Sequence, residues 1–236
     1  MAIALTIILS VVAFVILDFI GLFLRLLLGL SLIGIISPFY EEPIKILGPV
    51  LIGLFFAGTF RSKKYGAILG AVAGAVFGLL EISDYWVLFQ PFVTAGIISP
   101  GMVIGNIVVR LFTSLPMHVI ASLIAGLGVS YAAMSSLKPR LRDFYSGNAL
   151  TFILVAIGFH FVYNISNLIP SFLGAVLIGI ILAFLVMLAG IYLAFRVYGI
   201  IPEKLDEMAP IGARDLVAMA LGRRAKKSVP MPRKQP

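Results

Sequence analysis

Cysteine is absent from all 236 residues, and with it go disulfides, thiolate catalysis and cysteine-ligated metals. Charge is nearly as scarce. Only 12% of the residues are Asp, Glu, Lys or Arg, against roughly a quarter in a soluble domain, so the polar surface needed to cover a water-soluble globule is missing. The N-terminus, MAIALTIILSVV, lacks a basic leading region and a small-residue cleavage site, and reads as a retained membrane helix rather than a removed signal peptide. What is there is apolar: 61% of residues are hydrophobic, gathered in stretches of about 18 or more that recur up to about residue 198. These runs do not alternate apolar and polar residues as strand barrels do. A backbone in lipid must satisfy its own hydrogen bonds, which makes helices the default. The class expected is an all-α, polytopic transmembrane bundle of about 6–8 spans, with kinked helices around an intramembrane polar site.

Punctuation places the spans. Residues 2–36 are nearly continuous, interrupted by Asp18 and Arg25, and make one long span or a hairpin of two. Helices are expected over about 38–60, 65–88, 102–135 with a kink at Pro116, 148–168 and 171–198, with Pro91, Pro100 and Pro170 marking boundaries. Basic residues cluster at Arg61, Lys63 and Lys64, at Lys138, Arg140 and Arg142, and at Arg223, Arg224, Lys226, Lys227, Arg233 and Lys234. Two expected spans separate each cluster from the next, so all three can face the cytoplasm, as the positive-inside rule asks. The net charge of +8 then belongs to segments facing anionic lipid, and nucleic acid is not expected as a partner. The chain divides into a transmembrane domain, residues 1–200, and a basic, flexible cytoplasmic tail, residues 201–236, with one amphipathic stretch near 212–222. A multi-pass protein of the cell membrane is expected.

Against this background a few ionisable residues stand out. "PFYEEPIKIL", residues 38–47, puts Glu41, Glu42 and Lys45 between two apolar runs, and Glu81 and the only two histidines, His118 and His160, also fall in apolar segments. A charge facing lipid at the centre of a span costs about 2.5–3.5 kcal/mol, so these groups are expected to face one another or a wet cavity. Glu41 and Lys45 are four apart and share a helix face, as do His160 and Asn164; Arg110 lies eight before His118. Pro43 leaves the Phe39 carbonyl without its helical donor. At about 1.5 Å of rise per residue, Glu41, Glu81 and His118 lie roughly 25–30 Å from the basic loops and His160 about 18 Å past Asn148. That gathers them between the midplane and the non-cytoplasmic side. Gly66, Gly70, Gly74 and Gly78 form one stripe, and Ser122, Gly126 and Ser130 another, which lets the helices bearing Glu81 and His118 approach closely.

Two carboxylates, two histidines and an amide suit water activation. Carboxylates confined together raise one another's proton affinity, a property useful in a general base. A histidine and Asn164 can stabilise an oxyanion. The same set can instead bind a divalent metal such as zinc, through Glu42, Glu81, His118 and His160, and activate water on it. Residue types alone leave both routes open. H-E-x-x-H and G-x-S-x-G are absent.

"EEPIK" (41–45), "FGLLE" (77–81), "RLFTSLPMH" (110–118) and "HFVYN" (160–164) occur in the order of the PrsW family of intramembrane proteases, which this chain resembles. A more distant likeness is to the CAAX prenyl endopeptidases, which carry His where this chain has Glu81. The wider superfamily includes a non-catalytic scaffold, so fold alone does not imply activity. The resemblance implies hydrolysis of a peptide bond in a membrane-anchored protein, in the manner of a site-1 protease. Glu41, Glu42, Glu81, His118 and His160 would be catalytic, Glu41 acting as base, with Lys45, Arg110 and Asn164 supporting. A proton- or ion-coupled transporter is the alternative in another class, since buried Glu and His also build proton relays. The charged set occurs once and not in the two matching halves that inverted repeats would give.

Overall fold

The computed structural model describes residues 1–28, 30–60, 62–136, 138–172 and 174–200; Arg61 and the tail with its 212–222 stretch lie outside the described residues. Among these residues the chain is helical and without strands, as the composition requires. Its helices are α1 (Ala2–Leu28), α2 (Leu30–Lys45), α3 (Leu47–Phe55), α4 (Lys63–Thr94), α5 (Pro100–Phe112), α6 (Ser114–Ser135), α7 (Leu141–Phe144), α8 (Gly147–Phe172) and α9 (Val176–Ile200).

Prolines set the breaks, through the residue four before each. The ring of a helical proline lacks an N–H and clashes with the carbonyl at i−4. Pro49 faces Lys45, where α2 stops, so the single helix expected over 38–60 is two helices meeting at Ile46. Pro116 faces Phe112, where α5 stops, and the kink expected at Pro116 is a full break at Thr113 (φ −123°, ψ −59°). Pro91 was expected to end a helix at about 88, yet α4 runs through it to Thr94. There Gly96, at φ 72°, closes the helix: its N–H reaches the Val93 carbonyl and the Ile97 N–H reaches Phe92, a pairing that needs a left-handed residue. Helix α5 starts on Ser99, whose Oγ accepts the Met102 N–H at 3.3 Å, with Pro100 in the first position, where a missing N–H costs nothing.

Five stretches among the described residues are long and apolar enough to cross a membrane: Ala2–Leu24, Lys63–Thr94, Pro100–Ser135, Gly147–Pro170 and Val176–Gly199. This makes the chain a multi-pass membrane protein. The count is below the 6–8 expected because residues 30–55 are split at Ile46 into two short helices, one of them carrying Glu41, Glu42 and Lys45. Helices α1 and α9 form the rim, with Phe19, Leu177 and Phe195 each about 70% exposed, a surface suited to acyl chains and not to water.

Helices α4 and α6 form the centre. A Cβ built on Gly66 would meet Ser130 and the Gly126 carbonyl, one on Gly70 the Ser122 carbonyl, and one on Gly74 the His118 carbonyl. The two small-residue stripes thus pack directly on each other, and the Gly66 N–H donates to Ser130 Oγ at 2.8 Å across the seam. Helix α8 packs on the other side of α6 and against α2 and α9. Lys63, read above as a loop cation, is buried: its ammonium donates to the Tyr198 carbonyl at 2.8 Å, in the last turn of α9, where a cation offsets the helix dipole. Lys64 beside it is exposed.

Candidate active site

The charged set converges from four helices onto one point. Glu41, Glu42 and Lys45 come from α2, Glu81 from α4, His118 from α6 and His160 from α8. Gly78 allows the approach, since a Cβ there would crowd Leu115 at 2.9 Å and the His118 ring at 3.2 Å.

Lys45 is the hub. Its side chain is fully buried, and Nζ donates to Glu42 Oε1 at 2.8 Å and to His118 Nδ1 at 2.9 Å. Glu41 Oε2 lies 3.0 Å from the same ammonium, off the hydrogen-bond direction, so that contact is one of charge. The ammonium also rests 4.0 Å from the centre of the Phe77 ring, a cation–π seat. Lys45 therefore engages both carboxylates and a histidine, more than the single charge balance its spacing from Glu41 suggests.

The partners assign the imidazole protons. Glu81 Oε2 accepts only, so His118 Nε2, 2.9 Å away, carries the hydrogen and Nδ1 presents its lone pair to Lys45. Glu42 Oε1 likewise accepts from His160 Nδ1 at 2.7 Å, which leaves the lone pair of His160 on Nε2. The two rings meet edge to face with centroids 5.0 Å apart.

Glu81 holds His118 from outside. Its Oε2 also accepts from Ser114 Oγ at 3.0 Å and lies 3.6 Å from Arg110, which stacks on Tyr85 at 3.3 Å and donates to Asn106 at 3.2 Å. Among the described residues, the group whose donor atoms come within 4.8 Å of one another is Glu41, Glu42, His118 and His160. It takes Glu41 in place of the Glu81 expected from the sequence. Carboxylates that accept the outer N–H of a ligating histidine fix its tautomer, and losing one typically costs 10–100-fold in affinity or activity. Glu81→Gln is accordingly expected to lower divalent-metal affinity by about that factor, read by cobalt absorption after dialysis. Unchanged affinity would show that Glu81 does not set the orientation of His118.

Asn164 also differs from expectation. Pro38 removes the N–H that the Gly34 carbonyl would accept in α2, and Asn164 Nδ2 fills that gap at 2.7 Å, with Ser37 Oγ at 3.4 Å. Its amide N–H groups thus anchor the segment leading to Glu41 and are not turned to an oxyanion. Phe77 and Ser114 fall inside the motifs FGLLE and RLFTSLPMH but were given no role from the sequence, and Asn106 and Tyr85 were not singled out. Asn106, four before Arg110, carried a readable signal there.

A cavity of about 620 Å³ lies beside the cluster, lined among others by Glu41, Glu81, Arg110, His118, His160 and Asn164. Glu41 and Glu81 are 14% and 28% exposed, whereas Glu42 and Lys45 lie behind this wall, fully buried. Glu41 Oε2 and Glu42 Oε2 are buried and accept no hydrogen bond among the described residues. Buried acceptors left over in this way, beside two imidazole nitrogens, fit a divalent ion of the zinc type, which takes nitrogen and carboxylate oxygen together.

The sequence model of a family described as "PrsW family intramembrane metalloprotease" matches residues 1–191, which include every residue of the cluster. No curated protein and no solved structure is significantly similar to the chain.

Proposed function

The chain belongs to the PrsW family of intramembrane metalloproteases, a family of peptidases, and we propose that it cleaves a peptide bond of a membrane-anchored protein at the cavity bounded by Glu41, Glu81, His118 and His160. The observation that carries this reading is the meeting of two carboxylates and two histidines within 4.8 Å, beside a cavity large enough for an extended peptide segment. Basic loops on the cytoplasmic side would put this point toward the non-cytoplasmic half, as suits a site-1-type protease.

Catalytic zinc sites keep three protein ligands and one open position. In this reading Glu42, His118 and His160 would hold the ion, His160 through Nδ1 with its hydrogen shifted to Nε2, and Glu41, the carboxylate of the pair that faces the cavity, is the base. A divalent ion so held would supply Lewis-acid polarisation of water and of the scissile carbonyl. Glu41 accepts a proton from water as the water oxygen bonds to the carbonyl carbon, and returns it to the departing amine as the C–N bond breaks. Arg110, a cation lining the same cavity, is suited to the oxygen on which negative charge develops.

Co-expression with a single-span substrate tests the reading. His160→Ala is expected to reduce cleavage by about 10²-fold or more, with the wild-type cut mapped by mass spectrometry to the span or its non-cytoplasmic edge. Full cleavage by His160→Ala would remove proteolysis from this site.

A further inference from the structure

Lys45 contacts three of the four candidate ligands: Glu42 Oε1 at 2.8 Å, His118 Nδ1 at 2.9 Å and Glu41 Oε2 at 3.0 Å. At His118 a divalent ion would need the same electron pair, and at Glu41 and Glu42 it would stand against the same ammonium. The His118 nitrogen is the clearest case. Its other nitrogen is committed to Glu81, so Nδ1 holds the ring's only available lone pair, and Lys45 has it. We infer that Lys45 is a built-in competitor of the metal: its ammonium occupies the donor set of the metal-free protein, and the ion binds only by displacing it. The inference rests on the metal-assisted reading above.

The arrangement has a physical reason. Glu42 is fully buried, and Glu41 nearly so, within a bundle that the chain must fold before any ion can be captured. Two unpaired carboxylates at this position would oppose folding. A lysine one turn along the same helix supplies a cation with no external partner, since positions three and four apart share a face. When the ion enters, it replaces one positive charge by two at the same carboxylates. The face of Phe77, 4.0 Å from Nζ, remains as an apolar-side seat for the displaced ammonium. Lys45 is thus a positioning residue whose contribution to metal affinity is negative, the reverse of a residue that supports the ligands.

Cobalt(II) binding to the purified full chain tests this, with the d–d absorption band reporting coordination and elemental analysis the stoichiometry. Lys45→Met and the polar variant Lys45→Gln are expected to bind cobalt at least about tenfold more tightly than the wild type. A unit charge a few ångströms from a divalent ion changes affinity by that much even under near-aqueous screening. The metal-free variants are expected to melt below the wild type, and saturating cobalt to raise their melting temperature by more than it raises that of the wild type. A Lys45→Met protein that folds only when made with cobalt present also supports displacement. Variants that fail to fold with and without cobalt overturn it, because the ion then cannot take the place of the lysine. Equal cobalt affinity in the wild type and both variants overturns the competition and leaves the metal site standing. No cobalt band in any of the three proteins removes the metal site itself.

Discussion

Glu41→Gln is expected to reduce cleavage of a membrane-anchored substrate by about 10²–10⁴-fold, the range that a positioned general base contributes, while the melting temperature in detergent stays near that of the wild type. The substitution keeps the shape and removes only the capacity to take a proton. Glu41 tolerates this because it is the partly exposed carboxylate, 14% accessible and on the cavity wall. Its contact with Lys45 is an ion pair off the hydrogen-bond direction, so little directional bonding is lost. Glu42→Gln should behave differently. Glu42 is fully buried, and its Oε1 accepts from both Lys45 and His160. An amide there removes the charge that compensates a buried ammonium and puts an NH2 group where the buried Oε2 accepts no hydrogen bond. Breaking one side of a buried pair costs about 3–5 kcal/mol, so Glu42→Gln is expected to lose stability as well as activity. Full activity in Glu41→Gln would take the base role from this residue. A Glu42→Gln protein as stable as the wild type would show that the buried network is not what holds α2 in place.

Gly74→Ala is expected to lower activity by about 10²-fold without replacing a polar residue, since a misplacement of about 1 Å can cost that much. The added Cβ would press on the His118 carbonyl and meet Ser122 Cβ at 3.0 Å. Both belong to the backbone or stem of α6, so neither can swing away, and α4 and α6 must separate. His118 then moves relative to Lys45 and Glu42, which stand on a different helix. Overpacking of this kind costs typically 1–3 kcal/mol, so the melting temperature should fall as well. Gly158→Ala is the control: nothing lies within 4 Å of a Cβ there, on the exposed face of α8. It should change neither readout. Equal effects of the two substitutions would mean that the small-residue seam does not position the site.

Much of this was readable in residue order. The scarcity of charge made Glu41, Glu42, Lys45, Glu81, His118 and His160 conspicuous, and the cost of burying them singly required that they meet. The glycines at 66, 70, 74 and 78 and the small residues at 122, 126 and 130 announced close contact between their helices, and α4 and α6 do pack along those stripes. The helix breaks at Ile46 and Thr113 were readable too, since each stands just past the carbonyl that Pro49 or Pro116 excludes. Counting hydrophobic length alone overlooked the one at Ile46, while Pro116 was read as a kink and is a break. Lys63 was misplaced for a related reason. Its neighbours Arg61 and Lys64 suggested a wet loop, but its own side chain reaches the end of α9, 135 positions away.

The sequence by itself determined that the chain is helical, crosses a membrane and turns Glu41, Glu42, Lys45, Glu81, His118 and His160 toward one another, because a low-dielectric solvent makes single buried charges costly. It also named the residue types that meet there. What the tertiary structure alone decided is what each of them touches. Spacing along a helix fixes which residues share a face. It does not fix how that face is turned toward a neighbour. Lys45 meets His118 across 73 positions and Glu42 meets His160 across 118. Those contacts depend on the relative rotation of packed helices, and they decide which group each imidazole nitrogen faces. Through them Glu81 becomes the support of His118, Asn164 the anchor of α2, and Lys45 the cation at the centre of the site.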